Sequence, residues 1–219
     1  MKNIKAGIIG GAGYTGGELL RILVNHPNVE ISFVHSNSNA GNPIYKVHTD
    51  LIGETDMLFT SELSQDIDVL FLCVGHGDAK KLLDANPFNE NIKIIDLSQD
   101  HRLAANANGF VYGLAEMNRE QIKTANYIAN PGCFATAIQL AILPLATANL
   151  LNDAIHINAI TGSTGAGQGL SSSSHFSWRN NNISVYKAFE HQHLNEIGES
   201  LVSLQPNFHE EIDFIPQRG

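Results

Sequence analysis

Glycines fall at positions 10, 13 and 16, directly after the apolar run Ile4 to Ile9 and directly before Glu18-Leu19-Leu20-Arg21-Ile22-Leu23. The apolar run reads as a strand. The second segment has helical periodicity and stops before Pro27. Strand, glycine turn, helix is the context that a dinucleotide-binding turn requires. The first glycine makes the turn, the second lets backbone approach a pyrophosphate, and the third lets helix pack on strand. The phosphates then meet the helix N-terminus. This unit commits the N-terminal part of the chain to an α/β fold with parallel strands.

The continuation agrees. Val29 to Val34 reads as the second strand and ends in His35-Ser36-Asn37-Ser38-Asn39, with no acidic residue. An NAD-selective site ordinarily places Asp or Glu there on the ribose 2′-hydroxyl. A carboxylate would repel a 2′-phosphate, so its absence leans towards NADP. Asp68 to Val74 is a buried-strand pattern with Cys73 inside it. Gly75-His76-Gly77-Asp78 and a short helix from Ala79 to Leu83 follow. His76 is a loop residue at a sheet edge where ligands bind, or an ordinary surface histidine. Lys93 to Ser98 is the next strand and leads into Gln99-Asp100-His101-Arg102. Arg102 there either grips a carboxylate or phosphate with two parallel hydrogen bonds, or braces its own loop. A polar helix near Asn118 to Ala125 and the strand Tyr127-Ile128-Ala129 complete a repeated β-α-β pattern.

Next comes Asn130-Pro131-Gly132-Cys133-Phe134-Ala135-Thr136. Pro131 fixes its own φ and keeps Asn130 extended, so no helix starts before it. Gly132 is expected to let the backbone bend. Ala137, Ile138, Ala141, Ile142 and Leu145 recur at helical spacing, which puts Cys133 at or near a helix N-terminus. Such an end favours a thiolate and offers amides to an oxyanion. Cys133 is therefore a nucleophile candidate; the alternative is a structural cysteine in a turn. Beyond it, His156 to Ile160 reads as a strand. Thr161 to Gly169 is a glycine loop that fits neither a P-loop nor a nucleophile elbow. Ser171 to Asn182 is polar. His191-Gln192-His193 runs into a helix ending near Leu204. The two histidines lack a metal-ligand pattern, so no metal is expected. One of them suits the acid/base partner of a thiol.

Bulk properties narrow the partners. A net charge of -9 argues against nucleic acid and anionic membrane surfaces. Two cysteines make no disulfide framework, and the N-terminus leads into a strand rather than a signal peptide, so a cytoplasmic protein is expected. No apolar run reaches a membrane span.

Taken together, these segments resemble the N-acetyl-gamma-glutamyl-phosphate reductase family, relatives of aspartate-semialdehyde dehydrogenase. The resemblance rests on Gly10 to Leu19, Asp96 to Leu103, Val111 to Leu114, Asn130 to Thr136, Gly162 to Gly167 and His191 to Ile197. It implies a Rossmann-type doubly wound parallel sheet over 1–132 that binds NADP. An α+β catalytic and dimerisation domain over 133–219 follows, incomplete beside family members. The implied reaction is NADPH-dependent reduction of an N-acylated glutamyl phosphate to the semialdehyde in arginine biosynthesis, through a thioester on Cys133. His193 matches the acid/base histidine, with His191 its less favoured neighbour. Gly10, Gly13, Tyr14, Thr15, Gly16, Ser36 and Gly165 are the implied cofactor positions. Arg102, Asn130 and Ser163 are the implied substrate positions. A homodimer or homotetramer is implied. His101 stands where the family usually has an aromatic residue, and Asn195 where it often has proline. An N-succinyl or carrier-linked substrate is an alternative. So is aspartate-semialdehyde dehydrogenase, whose cysteine context is expected to differ, and so is a nucleotide-binding fragment without turnover.

Overall fold

The computed structural model describes residues 3–219. The chain forms two compact units, one ending at Asn130 and the other running Pro131–Gly219.

In the first unit the elements run β1 (Ile4–Ile9), α1 (Tyr14–Val24), β2 (Val29–His35), β3 (Val69–Leu72), α2 (Ala79–Ala85), β4 (Lys93–Asp96), β5 (Val111–Tyr112), α3 (Ala115–Thr124) and β6 (Tyr127–Ala129). The six strands pair in parallel in the order β2-β1-β3-β4-β6-β5. Side chains alternate across a strand, so neighbours in β1 bury on opposite faces. Ile8 packs with Leu20 and Leu23 of α1, and with Val34, Ile44, Leu51 and Phe59. Ile9 packs with Leu70, Leu72, Ile94 and Ala79 of α2. The sheet is thus covered on both faces, which parallel strands require. The winding reverses between β1 and β3. At that reversal the strand ends open a crevice, and the glycine turn lies there.

Some boundaries differ from the sequence reading. β3 and β4 end before the expected Val74 and Ser98. At β4 the reason is local: Ser98 donates its backbone N–H to Asp96 Oδ1 at 2.8 Å, which turns the chain. Cys73 therefore sits just past its strand rather than inside it. Its thiol is pushed up to about 12 by burial and then by the charge of Asp96. α3 starts earlier than expected and kinks at Asn118, whose side-chain amide donates to the Tyr112 carbonyl at 2.9 Å. Between β2 and β3 the chain makes three single 3-10 turns, Asn37–Asn39, Ile44–Lys46 and Thr49–Leu51. They deliver Ile44 and Leu51 to the face of α1.

In the second unit the elements are α4 (Cys133–Thr147), β7 (Ile155–Thr161), α5 (Phe176–Arg179), β8 (Ser184–Val185), α6 (His193–Leu204) and β9 (Ile212–Arg218). The sheet order is β7-β9-β8, with β9 parallel to β7 and antiparallel to β8. α4 packs on α6. Phe134, Ile138, Ile142, Ile197, Leu201 and Phe214 are buried in this unit. Phe134 meets Phe214 edge-on at 5.2 Å, which ties the start of α4 to the central strand. Among the described residues no helix is long and apolar enough to cross a membrane.

Candidate active site

The glycine turn is built as its spacing requires. Gly10 has φ +81, and a Cβ there would lie 2.3 Å from the Cys73 carbonyl oxygen. Only glycine fits both the conformation and the space. A Cβ on Gly16 would meet Gly10 O at 2.6 Å, so the helix lies directly on the turn. Gly13 is different: its Cβ would touch nothing closer than Gly10 O at 3.4 Å. Its outer side is open for a ligand to approach. Gly13 is also the N-cap of α1, and the exposed Tyr14 and Thr15 begin the helix. The amides of that first turn lack intrahelical acceptors and point outward. This donor set and open flank fit the pyrophosphate of a dinucleotide.

Ser36 follows β2 immediately, and the turn hangs from the same place. Gly10 N–H and Gly11 N–H both donate to the His35 carbonyl, at 3.2 and 3.1 Å. Ser36 Oγ accepts from the Asn39 side chain at 3.4 Å. His48, which sequence reasoning missed, supports the turn from below. Its Nε2 lies 2.7 Å from Gly11 O. Gly17 makes room for it, since a Cβ there would sit 2.6 Å from His48 Cε1. No periodic signal marks a lone histidine between 3-10 turns.

The Asp96 to Arg102 edge is braced by hydrogen bonds within it and to neighbouring segments. Asp96 is fully buried; Ser98 Oγ donates to it at 2.9 Å, and His101 Nδ1 lies 2.7 Å away. His101 stacks on Phe110 at 4.1 Å and 9°, so it occupies an aromatic's place as an aromatic while adding a hydrogen bond to Asp96. Asp100 Oδ1 accepts the Gly77 N–H at 2.6 Å, and His76 Nδ1 accepts the Gln99 N–H at 3.1 Å. Arg102 is buried and acts on the backbone. Its Nε donates to Asn130 O at 2.8 Å and its Nη2 to Leu97 O at 3.1 Å. It thereby fixes the carbonyl of Asn130, three residues before Cys133.

In the second unit Cys133 is the first residue of α4 and is exposed. Gly132 caps the helix with φ -65 and ψ 152, an ordinary extended conformation. The bend therefore does not demand glycine. Space does: a Cβ on Gly132 would lie 2.4 Å from His193 Nε2 and 2.7 Å from Glu196 Oε1. His193 and Glu196 project from the first turn of α6 onto the cysteine turn. Glu196 is buried, accepts the Gly132 N–H at 3.1 Å through Oε2, and has Oε1 3.8 Å from His193 Nε2.

The two histidines are thereby separated by position. His191 Nδ1 accepts the His193 backbone N–H at 3.2 Å, which caps the start of α6. Burial, then the charges of Lys187 and Arg218, hold His191 below the usual imidazole range. His193 is the one turned to the cysteine turn. Phe134 supports both rings edge-on, at 5.6 Å for His191 and 6.4 Å for His193. Ser163 and Gly165 lie in a short 3-10 turn, Ser163–Ala166, that follows β7. Among the described residues no group of three or more His, Cys, Asp or Glu is arranged to hold a metal ion.

A dinucleotide-type turn in one unit, and a helix-terminal cysteine beside a histidine in the other, are each features that an oxidoreductase of the thiol-dependent aldehyde class would need. Comparison with known proteins agrees. Residues 5–125 match the family model described as semialdehyde dehydrogenase, NAD binding domain, and residues 133–219 the model described as semialdehyde dehydrogenase, dimerisation domain. The chain belongs to the semialdehyde dehydrogenase family. It is 59% identical to N-acetyl-gamma-glutamyl-phosphate reductase of Christiangramia forsetii, over 99% of this chain and 67% of that one. With the reductases of that name from Flavobacterium johnsoniae and Azobacteroides pseudotrichonymphae the identities are 61% and 63%. The chain thus spans about two thirds of the length of the curated relatives it matches. Among solved structures, aspartate semialdehyde dehydrogenase II of Vibrio cholerae complexed with ASA superposes with TM-score 0.72 at 14% identity, covering 100% of this chain and 70% of that one. The Candida albicans aspartate semialdehyde dehydrogenase with NADP gives TM-score 0.65 at 17% identity, covering 99% and 68%. These two likenesses establish the fold.

Proposed function

We propose that the protein reduces N-acetyl-gamma-glutamyl phosphate to N-acetylglutamate 5-semialdehyde, with NADPH as reductant and release of phosphate, as a cytoplasmic enzyme of arginine biosynthesis. The observation that carries the reading is the exposed Cys133 at the start of α4 with His193 of α6 packed against Gly132, the residue before it. Identity near 60% to reductases of that name stands beside it.

Cys133 Sγ attacks the acyl carbon of the acyl phosphate. The S–C bond forms, the C–O bond to phosphate breaks, and phosphate leaves with the electron pair. Cysteine suits the step because thiolate is both a strong nucleophile and a good leaving group. First-turn amides of α4 hold the developing oxyanion. A nicotinamide dinucleotide held at the glycine turn would supply the hydride that the thioester carbon needs. His193 gives the resulting oxygen its proton, then removes it as the C–S bond breaks and aldehyde departs. Glu196 holds the turn on which the thiol sits, and Arg102 holds the carbonyl of Asn130 before it. The first turn of α1 binds the pyrophosphate, and Ser36, with no acidic neighbour on the strand end, favours the 2′-phosphate of NADP. Gly165 and Ser163 complete the cofactor and substrate positions. The chain works as a homodimer or homotetramer.

The test is the reverse reaction. N-acetylglutamate semialdehyde, NADP and phosphate should give NADPH, while aspartate semialdehyde and the N-succinyl analogue turn over at least about tenfold more slowly, a difference of about 1.4 kcal/mol in transition-state binding. Equal or faster turnover of either competitor overturns the substrate assignment.

A further inference from the structure

The site described so far has a nucleophile, an acid/base and an oxyanion end, and its arginine, Arg102, donates to the backbone carbonyls of Asn130 and Leu97. The second unit holds two further arginines. Neither Arg179 nor Arg218 has a carboxylate partner within ion-pair distance among the described residues. In each, Nε is buried with no hydrogen-bond partner. Arg179 is buried and Arg218 half-buried, and a buried guanidinium nitrogen left without a partner is costly unless a ligand supplies an acceptor.

Their arrangement separates their tasks. Arg179 is buried; it donates through Nη1 to the Arg218 carbonyl and through Nη2 to Ser184 Oγ at 2.7 Å. It ties the end of β9 to β8. Arg218 sits where those strands pair, opposite Ser184. By the two-residue alternation of a strand it shares a face with Phe214 and Pro216. That face meets Phe134, which follows Cys133, and His191, the latter at 5.3 Å from Phe214. The Arg218 guanidinium lies over the Tyr186 ring, 4.2 Å from its centre, and Tyr186 in turn touches His191 at 5.8 Å. An aromatic face orients a guanidinium without neutralising it. The charge balance agrees: burial raises the Tyr186 phenol, Arg218 opposes this, and the Cys133 charge adds to it.

We propose that Arg218, laid on Tyr186 and tied down through Arg179, is the substrate-binding residue that grips an anionic oxygen of the substrate beside Cys133. The ligand chemistry is a phosphate or carboxylate oxygen pair, which the planar fork of a guanidinium matches. The proposal rests on the reading of Cys133 as the acyl-transfer thiol.

The experiment reads the thiol directly and needs no turnover. Cys133 is alkylated with iodoacetate, which is anionic, and with iodoacetamide, which is neutral, in the wild type, Arg218→Met and Arg218→Lys. The iodoacetate-to-iodoacetamide rate ratio should fall about tenfold in Arg218→Met, as expected for losing a charge-assisted hydrogen bond. Lysine should recover part of it, and the iodoacetamide rate should stay near wild type. Inorganic phosphate and N-acetylglutamate are then each tried as protectants. Protection by phosphate that vanishes in Arg218→Met assigns the grip to the phosphoryl group; the same pattern with N-acetylglutamate assigns it to a carboxylate. A ratio unchanged in Arg218→Met overturns the proposal. Should that variant not fold, Arg218→Gln carries the same comparison. Failure of the reverse assay with N-acetylglutamate semialdehyde would remove the substrate name and leave this ratio intact, so the two readings fail separately.

Discussion

Cys73 and Cys133 are the same residue type in opposite circumstances. One thiol is pushed up to about 12 by burial; the other is exposed at a helix N-terminus. Iodoacetamide at neutral pH should therefore add once, at Cys133, as read by peptide mass spectrometry; labelling at Cys73 of the folded protein would contradict the burial. Cys133→Ser should remove NADP-dependent aldehyde oxidation with phosphate, because a serine hydroxyl lacks both the thiolate population and its leaving ability. Gly132 makes a finer test. Alanine is acceptable to its backbone, yet its Cβ would press on His193 and Glu196. Gly132→Ala should cost about 1–3 kcal/mol of stability by overpacking and lower turnover about a hundredfold by displacing the acid/base. Iodoacetamide labelling of Cys133 should persist. A variant with normal turnover would show that His193 is not held where its role requires. The sequence made this glycine legible as a bend, but its real cause is packing against residues on α6, beyond the reach of any local rule.

At the scale of elements, α1, α4 and α6 were legible because each carries a periodic apolar stripe and a Gly or Pro boundary. β9 was not. Its Pro216 argues against a central strand, yet β9 is central in its sheet. The explanation is directional. The Pro216 carbonyl accepts from Tyr186 N–H at 3.1 Å, so its missing donor points to the same side, where β8 has already ended at Val185. The 3-10 turns around His48 were unreadable for another reason: they have no period, and their contacts are with the glycine turn. For α6, the cap made by His191 carries a pH dependence. Its pKa is lowered from about 6.5, chiefly by burial, so the folded protein binds fewer protons than the unfolded chain below that value. The stability it secures is complete above pH 6.5 and is lost as pH falls from there through the folded value. Thermal midpoints between pH 7.5 and 5 should decline accordingly. His191→Asn, which keeps an acceptor but does not titrate, should flatten the slope; an unchanged slope would place the titration on another group, such as His35, which burial also lowers.

The molecule as a whole carries a net charge of -9, and its proposed ligands are anions. At about 0.01 M ionic strength the Debye length is about 30 Å, so an approaching dinucleotide feels the full charge of the protein. At about 0.15 M it is about 8 Å, and only nearby groups count. Near the glycine turn those groups are amides, the Ser36 hydroxyl and the Tyr14 and Thr15 end of α1. No acidic residue stands in the first turn of α1. Arg21, the basic residue of that helix, is held by Asp50 and Glu18, the latter at 2.9 Å. Phosphate binding by neutral dipoles should depend little on salt, while the overall repulsion is screened away. NADP affinity, measured by calorimetry, should therefore hold or tighten between those two ionic strengths. A loss of about tenfold would reveal an uncompensated cation close to the phosphates, as in electrostatically steered sites. Ser36→Asp tests the same local field with the opposite sign. A carboxylate at that position repels a 2′-phosphate and accepts from a 2′-hydroxyl, so affinity should move from NADP towards NAD. An unchanged ratio would mean that the strand end does not meet the ribose.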